Sequence, residues 1–144
     1  MSDLKMTETE REAFLAGLHV GVLGVERADG PPLVLPVWYS YEPGGEVVIL
    51  TSASSLKGRL AAAAGRGSLV AQQEDLPYKY VSVEGSIEID ELGGASRGDV
   101  EPMAIRYLGE EMGRSYAAAS TVTDEIRIRI RPERWWSVDY SKPG

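Results

Sequence analysis

Residues 33 to 41 form the stretch LVLPVWYSY, which decides the fold class. Every second residue from position 33 to position 41 is apolar or aromatic, and Val34, Pro36 and Trp38 place apolar groups on the opposite face as well. Successive side chains of a strand point to opposite faces, so both faces need cover. A small barrel covers only the inward face. Flanking helices, a second subunit or a planar aromatic ligand must cover the other.

Strand-like runs flank this stretch on both sides. Residues 19 to 27 precede it and residues 47 to 51 follow it. The joining segments ADGP at 28 to 31 and EPGG at 42 to 45 carry turn-forming residues. Pro36 lacks an amide proton, so it interrupts the ladder where backbone groups are free to bond a ligand. The pattern predicts an antiparallel meander.

The rest of the chain predicts more strands and a few helices. Strands are expected at 68 to 74, 78 to 90, 125 to 131 and 134 to 139, and helices at 8 to 17, 54 to 64, 99 to 108 and 110 to 119. Six or seven antiparallel strands with helices at the edges make the fold mainly β, of the α+β class. No repeat or composition break divides the chain, so we expect a single domain over residues 1 to 144.

Composition excludes several kinds of function. The 144 residues carry 15 basic and 22 acidic side chains, a net charge of −7, which disfavours nucleic-acid binding. Cysteine is absent and His19 is the one histidine, so thiol nucleophiles and His- or Cys-rich metal sites are excluded and no metal is expected. No hydrolase or phosphate-loop motif is present. A reaction in which a cofactor carries the chemistry fits best.

Apolar stretches are far shorter than the roughly 20 residues that cross a bilayer. The N-terminal segment also lacks the apolar region of a signal peptide. We therefore expect a soluble, cytoplasmic protein without a membrane partner.

One window reverses the acidic character of the chain. Residues 47 to 73 contain no acid but include Lys57, Arg59 and Arg66. Within it, TSASSLK at 51 to 57 passes from a strand end into a helix start, where backbone amides and the helix dipole favour an anion. The segment predicts a phosphate site with Lys57 as a point charge. A capped, solvated helix with ordinary surface basic residues is the alternative.

Five further residues have both a functional and a structural interpretation. Gln72 or Gln73 could bond the edge of a flavin-type ring or make a structural hydrogen bond. Trp135 and Trp136 face opposite ways on a strand, and the outward ring could stack on a ligand or pack in a dimer interface. His19 is interpreted as a satisfied strand-edge residue rather than a base.

The order and spacing of these segments resemble the pyridoxamine 5′-phosphate oxidase-like superfamily. The likeness rests on LPVWY at 35 to 39, TSASSLKGRL at 51 to 60, QEDLPYKYVSVEG at 73 to 85, RYLG at 106 to 109 and RPERW at 131 to 135. It covers roughly residues 10 to 140 and is closest to the flavin and deazaflavin F420-dependent oxidoreductases.

The resemblance implies a homodimeric split β-barrel with two cofactor sites at the subunit interface. The stretch matching residues 35 to 38 lines the ring, Thr51 and Ser52 continue that wall, Ser55 and Lys57 hold the phosphate, and the partner lends residues near its C-terminus. The residues expected to bind the cofactor are Leu35, Pro36, Val37, Trp38, Thr51, Ser52, Ser55, Lys57, Arg59, Gln72 and Trp135.

The predicted function is hydride transfer between F420 and a small quinone, enone or tetrapyrrole. F420 extends past its phosphodiester into a carboxylate-rich tail, and Arg59 and Arg66 supply charge beyond Lys57, which favours F420 over FMN. An FMN-dependent oxidase or reductase and a non-catalytic cofactor or tetrapyrrole carrier are the alternatives. No catalytic residue is assigned, although Tyr78 or Tyr80 could supply a proton.

Overall fold

The computed structural model describes residues 4 to 94 and 97 to 143, which form a mixed α+β fold. Its strands are β1 (Gly21–Val25), β2 (Leu33–Val37), β3 (Val47–Ser52), β4 (Arg66–Gln73), β5 (Lys79–Gly93), β6 (Glu125–Ile130) and β7 (Arg134–Asp139). Its helices are α1 (Glu8–Ala16), α2 (Leu56–Ala64), α3 (Arg97–Leu108) and α4 (Glu110–Ala119).

All strand pairs are antiparallel, and the sheet curls until its two ends meet. The strand order is β2-β1-β4-β5-β6-β3. Beyond the end of β2, Ser40 pairs with Val48 of β3 through two backbone hydrogen bonds of 3.0 and 2.9 Å. The first half of β5 pairs with β4 and β7, and its second half pairs with β6. The long strand β5 therefore belongs to both parts of the sheet. The predicted antiparallel barrel of six to seven strands with flanking helices is confirmed.

Alternation along each strand fills the interior. In β6, Ile126, Ile128 and Ile130 point inward and are buried, as the sequence pattern predicts. Leu23 of β1 and Leu69 of β4 are fully buried in the same cluster. Burying each such side chain contributes about 1.5 to 3 kcal/mol to stability.

Capping residues set where the first two helices begin. Thr7 and Glu10 form the capping box predicted for α1, with hydrogen bonds of 3.2 and 2.8 Å. Helix α2 begins later than expected because Ser55 is its N-cap and accepts a hydrogen bond from the Gly58 amide. It ends at Gly65, whose φ of 69° suits glycine.

Helices α3 and α4 form a hairpin that two side chains tie to the barrel. Arg106 donates to the Tyr39 carbonyl at 3.1 Å and to the Gly17 carbonyl at 2.7 Å. The Tyr107 hydroxyl donates to the His19 carbonyl at 2.5 Å, lies 3.0 Å from the Tyr39 carbonyl and accepts from the Tyr39 amide at 3.1 Å. This hairpin forms one wall of the candidate site.

In the part of the chain that the structure describes, no helix is both long and apolar enough to span a membrane.

Candidate functional site

A cleft of about 400 Å³ lies between the barrel and the α3–α4 hairpin. Its wall on the barrel side includes Pro36, Val37 and Trp38, and the hairpin contributes Met103 and Tyr116. Two charged side chains also line it, Lys57 from α2 and Glu125 from β6. A mostly apolar cleft of this size with few polar groups is typical of a small-molecule site.

The helical hairpin covers Trp38. Its indole stacks on the ring of Tyr107 with centroids 5.1 Å apart and an interplanar angle of 4°. Tyr116 approaches the same indole at 5.5 Å and an angle of 53°. Val34 stays 64% exposed and Pro36 is also exposed. The outward face of the deciding stretch is therefore covered by helices at Trp38 and left open at Val34 and Pro36.

The start of α2 presents its backbone amides near the cleft. The Ser55 carbonyl accepts from the Arg59 amide, and the Ser55 hydroxyl accepts from the Gly58 amide at 3.1 Å. The amides of Leu56 and Lys57 precede Arg59, whose amide donates to the N-cap carbonyl, and have no acceptor within the helix. Together with the half-buried Lys57 ammonium they form the part of the predicted anion site that is open to a ligand.

The remaining polar groups of the segment from 51 to 57 form hydrogen bonds within the chain, chiefly to the Asp124 carboxylate. Asp124 accepts from the Ser52 hydroxyl at 2.6 Å and from the Ser54 amide at 2.9 Å. The Ser52 hydroxyl, followed by the Ser54 contacts, holds the pKa of Asp124 below its ordinary value. The Thr51 and Ser55 hydroxyls lie 3.1 Å apart and share a hydrogen bond. The three predicted hydroxyl residues, Thr51, Ser52 and Ser55, are thus engaged within the chain.

Glu125 is the charged group that the sequence reasoning missed. It is 6% exposed, and β6 places it directly opposite Ser52 of β3. Burial raises the pKa of its carboxyl, the charges of Asp124 and Asp99 raise it further, and Lys57 opposes them. In the sequence, Glu125 only opens the alternating stretch that continues with outward-facing arginines. Its pairing with β3 and the cover by α3 could not be deduced from that pattern.

Four of the eleven predicted cofactor residues meet in the cleft: Pro36, Val37, Trp38 and Lys57. Leu35 is partly buried against the barrel core instead. Arg59 and Gln72 are exposed and do not line the cleft. Their contact with a cofactor stays a prediction.

The tryptophan pair is divided as expected, with one ring on each side of β7. Trp135 packs against the core of its own barrel, with the Arg11 guanidinium 4.6 Å from its ring centroid. Trp136 is the outward ring and is 49% exposed. A ligand contact of Trp135 stays a prediction, and Trp136 is the residue that faces outward.

Several other candidates have structural partners or lie elsewhere. Gln73 donates to the carbonyls of Asp75 and Pro77, the structural alternative for this amide. The His19 ring lies 2.9 Å from the Phe14 carbonyl and stacks on the Phe14 ring, and burial lowers its pKa. Tyr78 and Tyr80 are exposed and do not line the cleft.

Arg66 also lies away from the cleft. Its guanidinium forms an ion pair of 3.0 Å with Glu26, an acid outside the window from 47 to 73. The positive charge that Arg66 was expected to offer a ligand is therefore compensated within the chain.

Within residues 4 to 94 and 97 to 143, no group of three or more histidine, aspartate or glutamate side chains is arranged to hold a metal ion.

Comparison with solved structures supports the fold. A conserved hypothetical protein from Mycobacterium tuberculosis is 25% identical with a TM-score of 0.79, over 100% of this chain and 93% of that one. An F420 reductase is 22% identical with a TM-score of 0.68, over 86% and 94%. A putative pyridoxamine 5′-phosphate oxidase from Listeria innocua is 13% identical with a TM-score of 0.67, over 89% and 94%. No family model and no curated protein matches the sequence.

The solved structures with this fold thus include one named an F420 reductase and one named a putative pyridoxamine 5′-phosphate oxidase. The chain has their fold, which confirms the resemblance seen in the sequence at the level of the fold.

Proposed function

We propose that this protein is an oxidoreductase that binds a flavin-type cofactor in the cleft and transfers hydride between it and a small organic substrate. The observation that carries the proposal is the joint presence of the Pro36–Trp38 wall and Lys57 in one cleft. F420 is the cofactor that we propose first. A structure with the same fold that is named an F420 reductase supports this choice.

The residues present fit such a cofactor. The apolar wall suits a planar ring system, and Trp38 is fixed in place by its stacking on Tyr107. The amides of Leu56 and Lys57 and the Lys57 ammonium suit a phosphate. The bound cofactor supplies the hydride chemistry, and the chain supplies binding, orientation and electrostatics.

The charge near α2 bears on the choice between F420 and FMN. Lys57 and the exposed Arg59 remain available to an extended anion, whereas Glu26 compensates Arg66. FMN ends at one phosphate, which the α2 start and Lys57 suffice to bind. An FMN-dependent oxidase or reductase is accordingly the second candidate, and a non-catalytic cofactor or tetrapyrrole carrier is the third.

We also propose that the protein is a homodimer in the cytoplasm. Strand register aligns Pro36, Val22, Val70, Ser82 and Trp136 in one row across the outer face of five strands. Exposed apolar groups of this extent are characteristic of an interface. Because Pro36 belongs both to this row and to the cleft wall, a second copy on this face would complete the site.

Two measurements test the proposed function. The absorbance and mass of the molecule that copurifies from a host producing both F420 and FMN identify the cofactor. Reduced cofactor mixed with a panel of quinones, enones and tetrapyrroles then separates an enzyme from a carrier, because only an enzyme accelerates its oxidation. Absence of both bound cofactor and turnover contradicts the proposal.

A further inference from the structure

Glu125 is a buried residue whose carboxyl faces the cleft and has no protein partner among the described side chains. It is 6% exposed and lines the cleft. Among the side chains of residues 4 to 94 and 98 to 143, none donates a hydrogen bond to this carboxyl or forms an ion pair with it. Because its oxygens stay accessible from the cleft, a ligand bound there can become their hydrogen-bond partner.

The described charged groups on the elements around Glu125 do not form an ion pair with its carboxyl. Asp124, the residue before β6, is held by Ser52 and Ser54, and Asp99 on α3 is held by Arg127 at 2.8 Å. Arg127 is further engaged by Asp90. Lys57 on α2 is the cation that opposes these acids.

The surroundings favour the protonated form of the carboxyl. Burial raises its pKa first, and the charges of Asp124 and Asp99 add to the effect against that of Lys57. A carboxyl that keeps its proton nearer to neutral pH is suited to general acid catalysis. Tyr116 of α4 also lines the cleft and carries an ionisable proton, and its ring lies against Trp38.

We propose that Glu125 is the proton donor to the substrate in this cleft, which rests on the proposed hydride-transfer function. An enone acceptor gains a hydride at its β-carbon, and the electron pair displaced from its C=C bond takes a proton at the α-carbon. The Glu125 O–H bond breaks to provide that proton, and the carboxylate regains one from water. The hydride carries two electrons from the reduced cofactor, which is oxidised and releases one proton to water. The substrate gains two electrons and two protons.

The test compares wild-type protein with Glu125→Gln and Glu125→Asp. The assay follows oxidation of reduced F420 by 2-cyclohexen-1-one across pH, and F420 affinity is measured separately by fluorescence. We expect Glu125→Gln to retain F420 affinity within about threefold and to lower kcat by about 100-fold. The wild-type rate should fall as pH rises through the pKa of Glu125, and the Gln variant should lose this dependence. The Asp variant should recover part of the rate.

A matched control is Glu111→Gln, which neutralises an exposed carboxylate on α4 and should leave rate and pH profile unchanged. If the wild type turns over and Glu125→Gln keeps its rate and pH profile, the assignment of Glu125 is wrong while the proposed function stands. If the wild type neither binds F420 or FMN nor transfers hydride to any acceptor, the proposed function itself fails, and the role of Glu125 with it.

A second readout is independent of activity. Carbon-13 NMR of labelled glutamate carboxyls, with the Glu125 signal assigned by its loss in Glu125→Gln, should show this group titrating above the ordinary value of about 4.3. Addition of F420 should shift that titration. A carboxyl that titrates at the ordinary value and is insensitive to F420 contradicts the proposal.

Discussion

The indole of Trp38 lies parallel to the phenol ring of Tyr107, with centroids 5.1 Å apart. The same tyrosine uses its hydroxyl to bond the backbone of Tyr39, the residue next to Trp38. Ring and hydroxyl thereby fix the wall of the cleft to the helical hairpin. The shape of the candidate site depends on this attachment.

Removal of the Tyr107 hydroxyl should loosen the hairpin. Tyr107→Phe keeps the ring stacked on Trp38 but loses the hydrogen bonds to the carbonyls of His19 and Tyr39. We expect the free energy of unfolding to fall by about 1 to 3 kcal/mol, because the His19 carbonyl loses its donor and the Tyr39 amide loses its acceptor, while the Tyr39 carbonyl keeps Arg106. Urea denaturation measures the change. Tyr116→Phe is the control, and an equal loss in both variants contradicts this role of Tyr107.

A charge on the outer face should disrupt the proposed dimer. Trp136→Glu places a carboxylate in the row that includes Val22 and Val70, where burial against a second copy would be unfavourable. We expect light scattering to report a dimer for the wild type and a monomer of about 15.6 kDa for the variant. Met112→Glu changes an exposed apolar residue on α4 and should remain dimeric. A monomeric wild type with cofactor present contradicts the interface.

Acid should weaken the fold in part through Asp90. Hydrogen bonds from Arg129 and then Arg127 hold the pKa of this carboxyl below its ordinary value. Its contribution to stability is therefore present above the unfolded-state pKa of about 3.9 and is lost as pH falls through the lower folded-state pKa.

We accordingly expect Asp90→Asn to lower the free energy of unfolding at pH 7, and the deficit relative to wild type to shrink below pH 4. Denaturant titrations at several pH values measure this difference. Glu91→Gln, at the exposed neighbouring position, should match the wild type throughout. A deficit for Asp90→Asn that stays constant from pH 7 to pH 3 contradicts the ionic explanation.

The strands could be predicted because their patterns are local. Alternation in β6 and the turn residues around β2 specify each element without reference to the rest of the chain. The long-range arrangement could not be read in the same way. Ser40 pairs with Val48 across the barrel closure, and Asp124 reaches the Ser54 amide although 70 positions separate them. The burial of Glu125, which lies opposite Ser52 of β3, likewise has no signal in the local sequence.

The predicted anion segment also has features that the local sequence predicts and contacts that it does not. Its lack of acids was visible over residues 47 to 73, and Lys57 lines the cleft as the helix start suggested. The partners that engage it, Asp124 and Glu26, lie outside the window. A local charge count could not include them because they meet the segment only in the folded chain.

The affinity of Lys57→Ala for F420 tests the central claim most directly. Calorimetric titration of wild type and variant, at low and high salt and with FMN for comparison, gives the numbers, and Lys5→Ala controls for the change in net charge. We predict a loss of about 1.5 to 3 kcal/mol for Lys57→Ala with the fold intact, the range for a hydrogen bond to a charged group, and tighter binding of F420 than of FMN by wild type. Unchanged F420 affinity in the folded variant contradicts the phosphate site, and tighter binding of FMN makes it the cofactor.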